Sequence, residues 1–418
     1  MKPESVRTLS LNLHGRHIGY LAGYENGTSI AAFEEDYVLD PNRPTLTLAA
    51  SSHFPKARQL LSSAWIRQQR LHPVFSNMLP EGALREWLAQ RLQVHPDHEF
   101  PLMAALGRDL PGALIASPVA AEAVPDWVLS HRTSTPAAFD DPATFHGFSL
   151  PGVQMKFSMR MAEGRFRLGL DDEPGDWIVK TPSQRFAAVP ENEYSAMKLA
   201  EAAGVVIPEM RLISTGTLDG LPSLNVPCDQ PAFAIKRFDR EDGERIHIED
   251  FAQILFKYPH DKYRAANYEQ VTRLIYEYTG DPLRNVQETA RRLLVNLLLA
   301  NGDAHLKNWS LIYPDGRQPE LAPAYDIVAT RAYMDGERQA ALNLNRRKDW
   351  YGIGWEDFRA WARHADIPWG SIEPTLRETL QAAREQWPRL LRELPMAEAH
   401  KQTLHAHWRQ LKPEWRIG

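Results

Sequence analysis

Residues 301–308 read "NGDAHLKN", directly after the apolar run "RRLLVNLLLA" at 291–300. Such a run reads as a buried helix, and it stops on an acid, a histidine, a lysine and an amide. Taken alone, Asp303 is equally well explained as part of a helix-stopping turn, and Asn308 as a turn residue. Downstream, "LAPAYDIVA" puts Asp326 just after a short apolar segment, where a lone acid is most often a helix cap. The three together say more. Asp303 and Asn308 stand five positions apart. That is the spacing of phosphoryl-transfer loops, where a carboxylate meets the attacking hydroxyl and an amide oxygen holds magnesium. Asp326 then follows in the order required of the acid that holds the bridging metal.

The remaining parts of such a site can be sought upstream. "DWIVKTP" is a short β-like run with Lys180 at its end, suited to the α- and β-phosphates of ATP. A solvated strand-end lysine is the plainer reading of the same residue. "PENEYSAMKLAEAAG" follows as a helix with a proline-led start and Gly204 as its stop. Glu193 falls in its first turn, where an acid either complements the helix dipole or pairs with Lys180. Before the strand, "FSLPGVQMKFSM" carries Gly152 between strand-like flanks, which lets backbone N–H groups approach phosphates. Val153, Gln154 and Lys156 complete that candidate phosphate loop.

"PAFAIKRFDRED" reads as a strand running into a charged turn. Lys236, Phe238 and Asp239 fall there at the link between two lobes, the place where main-chain groups bind adenine. Arg237, Asp239 and Arg240 read equally as a solvated salt-bridge cluster. His305 suggests a metal ligand, but zinc would want a further His or Cys at close spacing. Magnesium, which seeks oxygen, suits Asn308 and Asp326 better. His305 is expected to orient the loop through hydrogen bonds. Neither a G-x-S-x-G nor a G-x-G-x-x-G run occurs, so serine-hydrolase and dinucleotide-binding readings have no footing.

Composition narrows the class. At 418 residues the chain exceeds a usual single core, and its 43% hydrophobic and 24% charged content is that of a globular protein. A formal net charge of -5 argues against coating nucleic acid by bulk electrostatics. Cys228 is the single cysteine, so no intramolecular disulfide forms. The start "MKPESVRTLSLNLHG" lacks a secretory apolar core, and no stretch approaches the roughly 18 apolar residues of a membrane span. A cytoplasmic location without membrane contact is the expectation.

Along the chain, residues 7–39 alternate as strands, then "ARQLLSSAWIRQQ" and "ALREWLAQRLQ" have helical spacing. Residues 117–147 are rich in Pro, Ala and Ser and read as a connector. Strands dominate from Phe148 to about Phe238, and helical periods from Glu249 onward. The expected fold is α+β, a bilobal protein-kinase-like arrangement with its site in the cleft. A small mixed amino-terminal subdomain spans 1–125, a strand-rich lobe 126–240, and an all-helical carboxy-terminal lobe 241–418.

The ordered blocks "FSLPGVQMKFSM", "KTP", "NEYSAMKLAEAAGVVIPE", "AIKRFDRE", "EDFAQIL", "NGDAHLKNWSL" and "LAPAYDI" resemble those of HipA-type toxin kinases. "VFSNMLPEGALREWL" and "GRDLPGALI" are similar to blocks of that family's amino-terminal subdomain, so the resemblance covers about residues 8–350. It implies a serine/threonine protein kinase of a bacterial toxin–antitoxin system. Members phosphorylate cytoplasmic proteins, aminoacyl-tRNA synthetases among them, and are checked by a small HipB-like helix-turn-helix antitoxin. DNA is then met only indirectly, through that antitoxin.

By position, the resemblance makes Asp303 the catalytic base, Asn308 and Asp326 the Mg2+ ligands, and Lys180 the ATP lysine. Lys236 and Phe238 match the adenine-binding link, and Ser149 the serine that members autophosphorylate. Met155 stands where an acid often precedes the loop lysine Lys156, and Lys236 is itself often acidic in the family. Beyond Lys348 no block matches. Two other readings stand beside this one. "GDxHxxN" also resembles the loop of aminoglycoside, choline and lipid kinases, and a pseudokinase partner of a DNA-binding protein is the third. An intact set of Lys180, Asp303, Asn308 and Asp326 speaks against the last.

Overall fold

In the computed structural model, which describes residues 5–6, 8–130, 139–140, 155–168, 175–220 and 229–418, the alternating amino-terminal segments form an antiparallel sheet. Its strands are β1 (Thr8–Leu13), β2 (Arg16–Gly23), β3 (Thr28–Phe33), β4 (Trp65–Gln68) and β5 (Leu114–Pro118). They lie in the order β4-β3-β2-β1-β5. Leu9, Leu11 and Leu13 fall on one face of β1 by the two-residue period of a strand, and all are fully buried. They pack with Trp87 of helix α1 (Gly82–Arg91) and Leu102 of α2 (Glu99–Leu106) into a core of their own. The segment "ARQLLSSAWIRQQ" is not one helix. Ala57–Ser62 is helical, but Ile66 pairs with Ile30 of β3 and Trp65 packs on Phe33. Edge pairing and aromatic burial override the local helical spacing after two serines, which are poor helix formers.

A second, six-stranded sheet carries β6 (Lys156–Ala162), β7 (Arg165–Leu168), β8 (Trp177–Lys180), β9 (Met210–Ser214), β10 (Leu218–Asp219) and β11 (Pro231–Lys236). Its order is β9-β11-β8-β6-β7-β10. Helix α3 (Val189–Ala202) packs against β9 and β11. Met197 and Leu199 of α3 share a core with Phe233 and also with the helices beyond, so one apolar interior runs from this sheet into the following lobe.

That lobe holds α4 (Tyr268–Tyr278), α5 (Pro282–Leu298), α6 (Trp355–His364), α7 (Trp369–Glu393) and α8 (Glu398–Gln410). Helix α5 starts as its sequence dictates: Pro282 opens it, and the Asp281 side chain accepts from the Arg284 N–H. The lobe is not all-helical. Strands β12 (His247–Asp250), β13 (Ser310–Tyr313) and β14 (Glu320–Leu321) form a sheet in that order, and β15 (Gln339–Leu344) pairs with β16 (Arg347–Asp349). "SLIY" buries Leu311 and Tyr313 on a two-residue period and runs into the turn "PDG". Four residues are too few to register against the long helical periods on either side.

The residues after Lys348 supply a tryptophan-rich support. Trp361, Trp387, Trp408 and Trp415 are almost fully buried. Helix α8 bonds the end of α5: His407 Nε2 lies 2.8 Å from the Leu297 carbonyl, and Trp408 Nε1–H donates to Leu298 O at 2.8 Å. The last carbonyls of a helix lack full intrahelical partners, and α8 supplies donors to two of them. Among the described residues, no helix is long and apolar enough to cross a membrane.

Candidate active site

Lys180 ends β8 one register position from the loop that leaves the sheet, and its ammonium points inward rather than to solvent. It lies 2.5 Å from Glu193 Oε1 and also donates to Asp326 Oδ1. Helix α3 begins at Val189, so Glu193 sits in its second turn, not its first, and its side chain faces the sheet. Lys156, at the start of β6 and paired in register with Lys180, comes within 3.4 Å of Asp326 Oδ2. Four charges thus meet where the two lobes face each other.

Burial alone would lower the Lys180 ammonium, but Asp326 and Glu193 outweigh it and hold its pKa above the lysine range. Burial would likewise raise the Asp326 carboxyl, and Lys156 and Lys180 overturn that and keep it ionised. For Glu193 burial is the larger influence, and its pKa is raised despite Lys180. Asp326 takes this position with a backbone φ of 54°, a left-handed conformation that aspartate tolerates better than most residues. A strained acid held between two lysines is the pattern of a functional position.

Across the cleft, α5 ends and the chain turns at Ala300, with φ 53°. The Asp303 N–H is held by Asn301 Oδ1 at 3.0 Å, and Asn301 by Asn296 Oδ1 at 2.9 Å. This leaves the Asp303 side chain about half exposed (49%) at the rim. Asn308 closes the loop by donating its backbone N–H to His305 O at 2.9 Å. Its side-chain Oδ1 is buried with no hydrogen-bond partner, and Asn308 and Asp326 line one small pocket. An orphaned buried acceptor beside an ionised carboxylate suits an oxygen-seeking dication. His305 does not orient the loop through its ring. Its Nδ1 has no partner, its Nε2 is 3.9 Å from Asp303, and burial pushes its pKa down to about 4. The ring packs edge-on against Tyr263 instead.

The lobe link divides. Phe238 is half-buried, its ring 5.6 Å from that of Tyr325, so it forms a wall next to Asp326. Lys236 is exposed at the end of β11, opposite Trp177. The Asp239 side chain is neither solvated nor turned toward the cleft. It is buried, accepts from Arg237 and Arg240 at 2.9 and 2.8 Å, and takes the Gly112 N–H at 2.8 Å. Arg240 reaches the Leu110 carbonyl at 3.0 Å. The charged run therefore fastens the amino-terminal subdomain, because a buried carboxylate needs a full set of donors. Ser149, Gly152, Val153 and Gln154 lie outside the described residues.

Two contributors were not singled out by the sequence reading. Glu81, at the start of α1, pairs with Lys262 at 2.9 Å and with Lys307 of the 301–308 loop at 3.1 Å. Lys307 also donates to the Asn77 carbonyl at 2.8 Å. Tyr263 donates its hydroxyl to Asp303 Oδ1. Glu81 sits inside "VFSNMLPEGALREWL", but its partners are too far along the chain for spacing to reveal them.

A strand-end lysine held by a helix glutamate, facing an acid and an orphaned amide across a cleft, defines a kinase-like bilobal protein. Comparison with known proteins agrees. A family model for the HipA-like C-terminal domain matches residues 148–387, and one for the HipA N-terminal domain matches residues 9–117. A Sinorhizobium fredii protein named "Putative kinase Y4dM" is 38% identical over 406 residues, covering 96% of each chain. The "Serine/threonine-protein kinase toxin HipA" of Shewanella oneidensis is 26% identical over 304 residues, or 65% of this chain and 66% of that one. The fold is similar to a solved structure of the Shewanella oneidensis MR-1 toxin–antitoxin system HipA, HipB and its operator DNA. The TM-score is 0.71 at 20% identity, covering 96% of this chain and 95% of that one. The chain belongs to the HipA family of kinases.

Proposed function

We propose that this protein transfers the γ-phosphate of magnesium-bound ATP to a serine or threonine of another protein. The observation that carries the reading is the buried Asn308 Oδ1 without a partner, beside the Asp326 carboxylate that Lys180 already contacts. Asn308 and Asp326 would hold the metal, whose contribution when bound is to neutralise charge on the β- and γ-phosphates. Lys180, steadied by Glu193, is the cation offered to phosphate oxygens, and Lys156 stands beside it. Phe238 and the link around Lys236 border the adenine. Asp303 orients the acceptor hydroxyl and takes its proton. The acceptor oxygen bonds to the γ-phosphorus, the bond to the β–γ bridging oxygen breaks, and ADP departs. Positioning matters most because the transition state is loose. His305, neutral at pH 7, packs the loop and moves no proton.

Kinship with the Shewanella toxin supports a role as the toxin of a toxin–antitoxin module, with a HipB-like helix-turn-helix antitoxin as partner in the cytoplasm. DNA would be reached through that partner, since a net charge of -5 gives this chain no general attraction to phosphate. An aminoacyl-tRNA synthetase is the first substrate to test. Autophosphorylation of Ser149, a few residues before Lys156, would add about -1.5 to -2 charges beside the phosphate site and silence the enzyme.

The test is labelled ATP with purified protein and a bacterial extract. Magnesium-dependent label on serine or threonine of a protein band, and at Ser149 by mass spectrometry, is expected. Label confined to small molecules would overturn the protein-kinase reading.

A further inference from the structure

Tyr263 touches the most important atom of the site, yet the proposed chemistry gives it no task. Its hydroxyl donates to Asp303 Oδ1, the hydrogen bond that an acceptor hydroxyl has to make before transfer. The tyrosine comes from neither lobe's catalytic segment. It stands in the stretch between Ile254 and α4, with its ring 4.9 Å from His305 at 79°. Its carbonyl lies 3.4 Å from Lys348 Nζ, and Lys262 Nζ sits 5.7 Å from the ring centroid. Lys262 is in turn fixed by Glu81 of the amino-terminal subdomain at 2.9 Å. The backbone of this stretch is therefore anchored, while the residue as a whole is 38% exposed.

We propose that Tyr263 is a built-in occupant of the acceptor position, covering Asp303 until a protein substrate displaces it. The inference rests on Asp303 being the base. The phenol acts as a stand-in: it fills the acceptor position on Oδ1, although the carboxylate as a whole stays half exposed. Burial and the adjacent carboxylate both raise the phenol pKa, so it remains a neutral donor. A substrate hydroxyl makes the same bond and replaces it without net loss. Solvent water, which gains nothing else at the site, is denied that one position on Oδ1.

Water is the probe that needs no identified substrate. ATP hydrolysis by the full chain with magnesium is compared among wild type, Tyr263→Phe, Tyr263→Ala and Asp303→Ala. Both tyrosine variants should hydrolyse ATP about tenfold faster with an unchanged KM for ATP, the scale of one hydrogen bond to a charged group. Tyr263→Phe combined with Asp303→Ala should return to background. Hydrolysis by Tyr263→Phe equal to or below wild type overturns the proposal, and a lowered turnover identifies Tyr263 as a residue that positions Asp303. Fast hydrolysis by Tyr263→Phe that persists when Asp303→Ala is added instead removes Asp303 as base, a separate failure. No hydrolysis by any variant also counts against it, because an uncovered base should admit water.

Discussion

Around Lys180, each charge has an opposite charge in contact: Glu193 at 2.5 Å, Asp326 beyond it, and Lys156 at 3.4 Å from Asp326. In the 301–308 loop the reverse holds, for Asn308 Oδ1 and His305 Nδ1 are buried without partners and Asp303 is half exposed. The lysine cluster is satisfied by its own charges, so it fixes geometry, and under the proposed function a nucleotide would trade contacts to enter. The loop carries buried polar groups without a protein partner, each costing about 1–3 kcal/mol where nothing pairs with it. On the proposed function, one side of the cleft positions and the other reacts.

The largest effect should come from the reactive side. Asp303→Ala is expected to slow transfer by roughly 10²–10⁴-fold while leaving ATP affinity within about twofold. Single-turnover transfer and nucleotide titration measured on the same preparation separate the two. Loss of ATP binding in this variant would break the division between positioning and reacting sides. On the saturated side, Asp326→Asn should weaken magnesium-dependent ATP binding by roughly tenfold to a hundredfold, the scale of a charged contact. Calorimetry with and without magnesium checks it, and unchanged affinity with the fold intact sinks the metal assignment.

The smallest test asks whether saturation needs a cation. Glu249 of β12 is fully buried and accepts from Thr47 Oγ1 and the Leu48 N–H at 2.7 Å and from Tyr313, with no cation in that set. Burial pushes its pKa up from 4.5 to about 7, against the pull of those donors. The folded protein then keeps a proton that the unfolded chain has lost, so stability should fall as pH rises from about 4.5 to about 7. The slope is at most about 1.4 kcal/mol per pH unit. Denaturation midpoints of wild type and Glu249→Gln across that range should differ in slope, the variant being flatter. Equal slopes would mean that hydrogen bonds alone hold a carboxylate as well as a lysine does.

Much of the cleft was legible because its parts are local. Lys180 ends a strand, Glu193 follows in a proline-led helix, and Asp303, Asn308 and Asp326 keep their order and spacing. What was not legible depends on distance along the chain or on direction. Nothing in "KRFDRED" tells that Asp239 turns to Gly112 rather than to the cleft. Tyr263 and Glu81 matter only because folding brings them to Asp303 and Lys307. The strands of the carboxy-terminal lobe were hidden by their brevity, although the alternation of "SLIY" before "PDG" was their signal.

The bonds from His407 and Trp408 to the end of α5 have a consequence for synthesis. Residues 301–308 leave the ribosome well before residues 398–410, so a nascent chain carries this loop with the preceding helix end still uncapped. The end of α5 gains these two donors only when α8 has emerged and docked. The helix end that leads into the 301–308 loop is therefore completed late in translation.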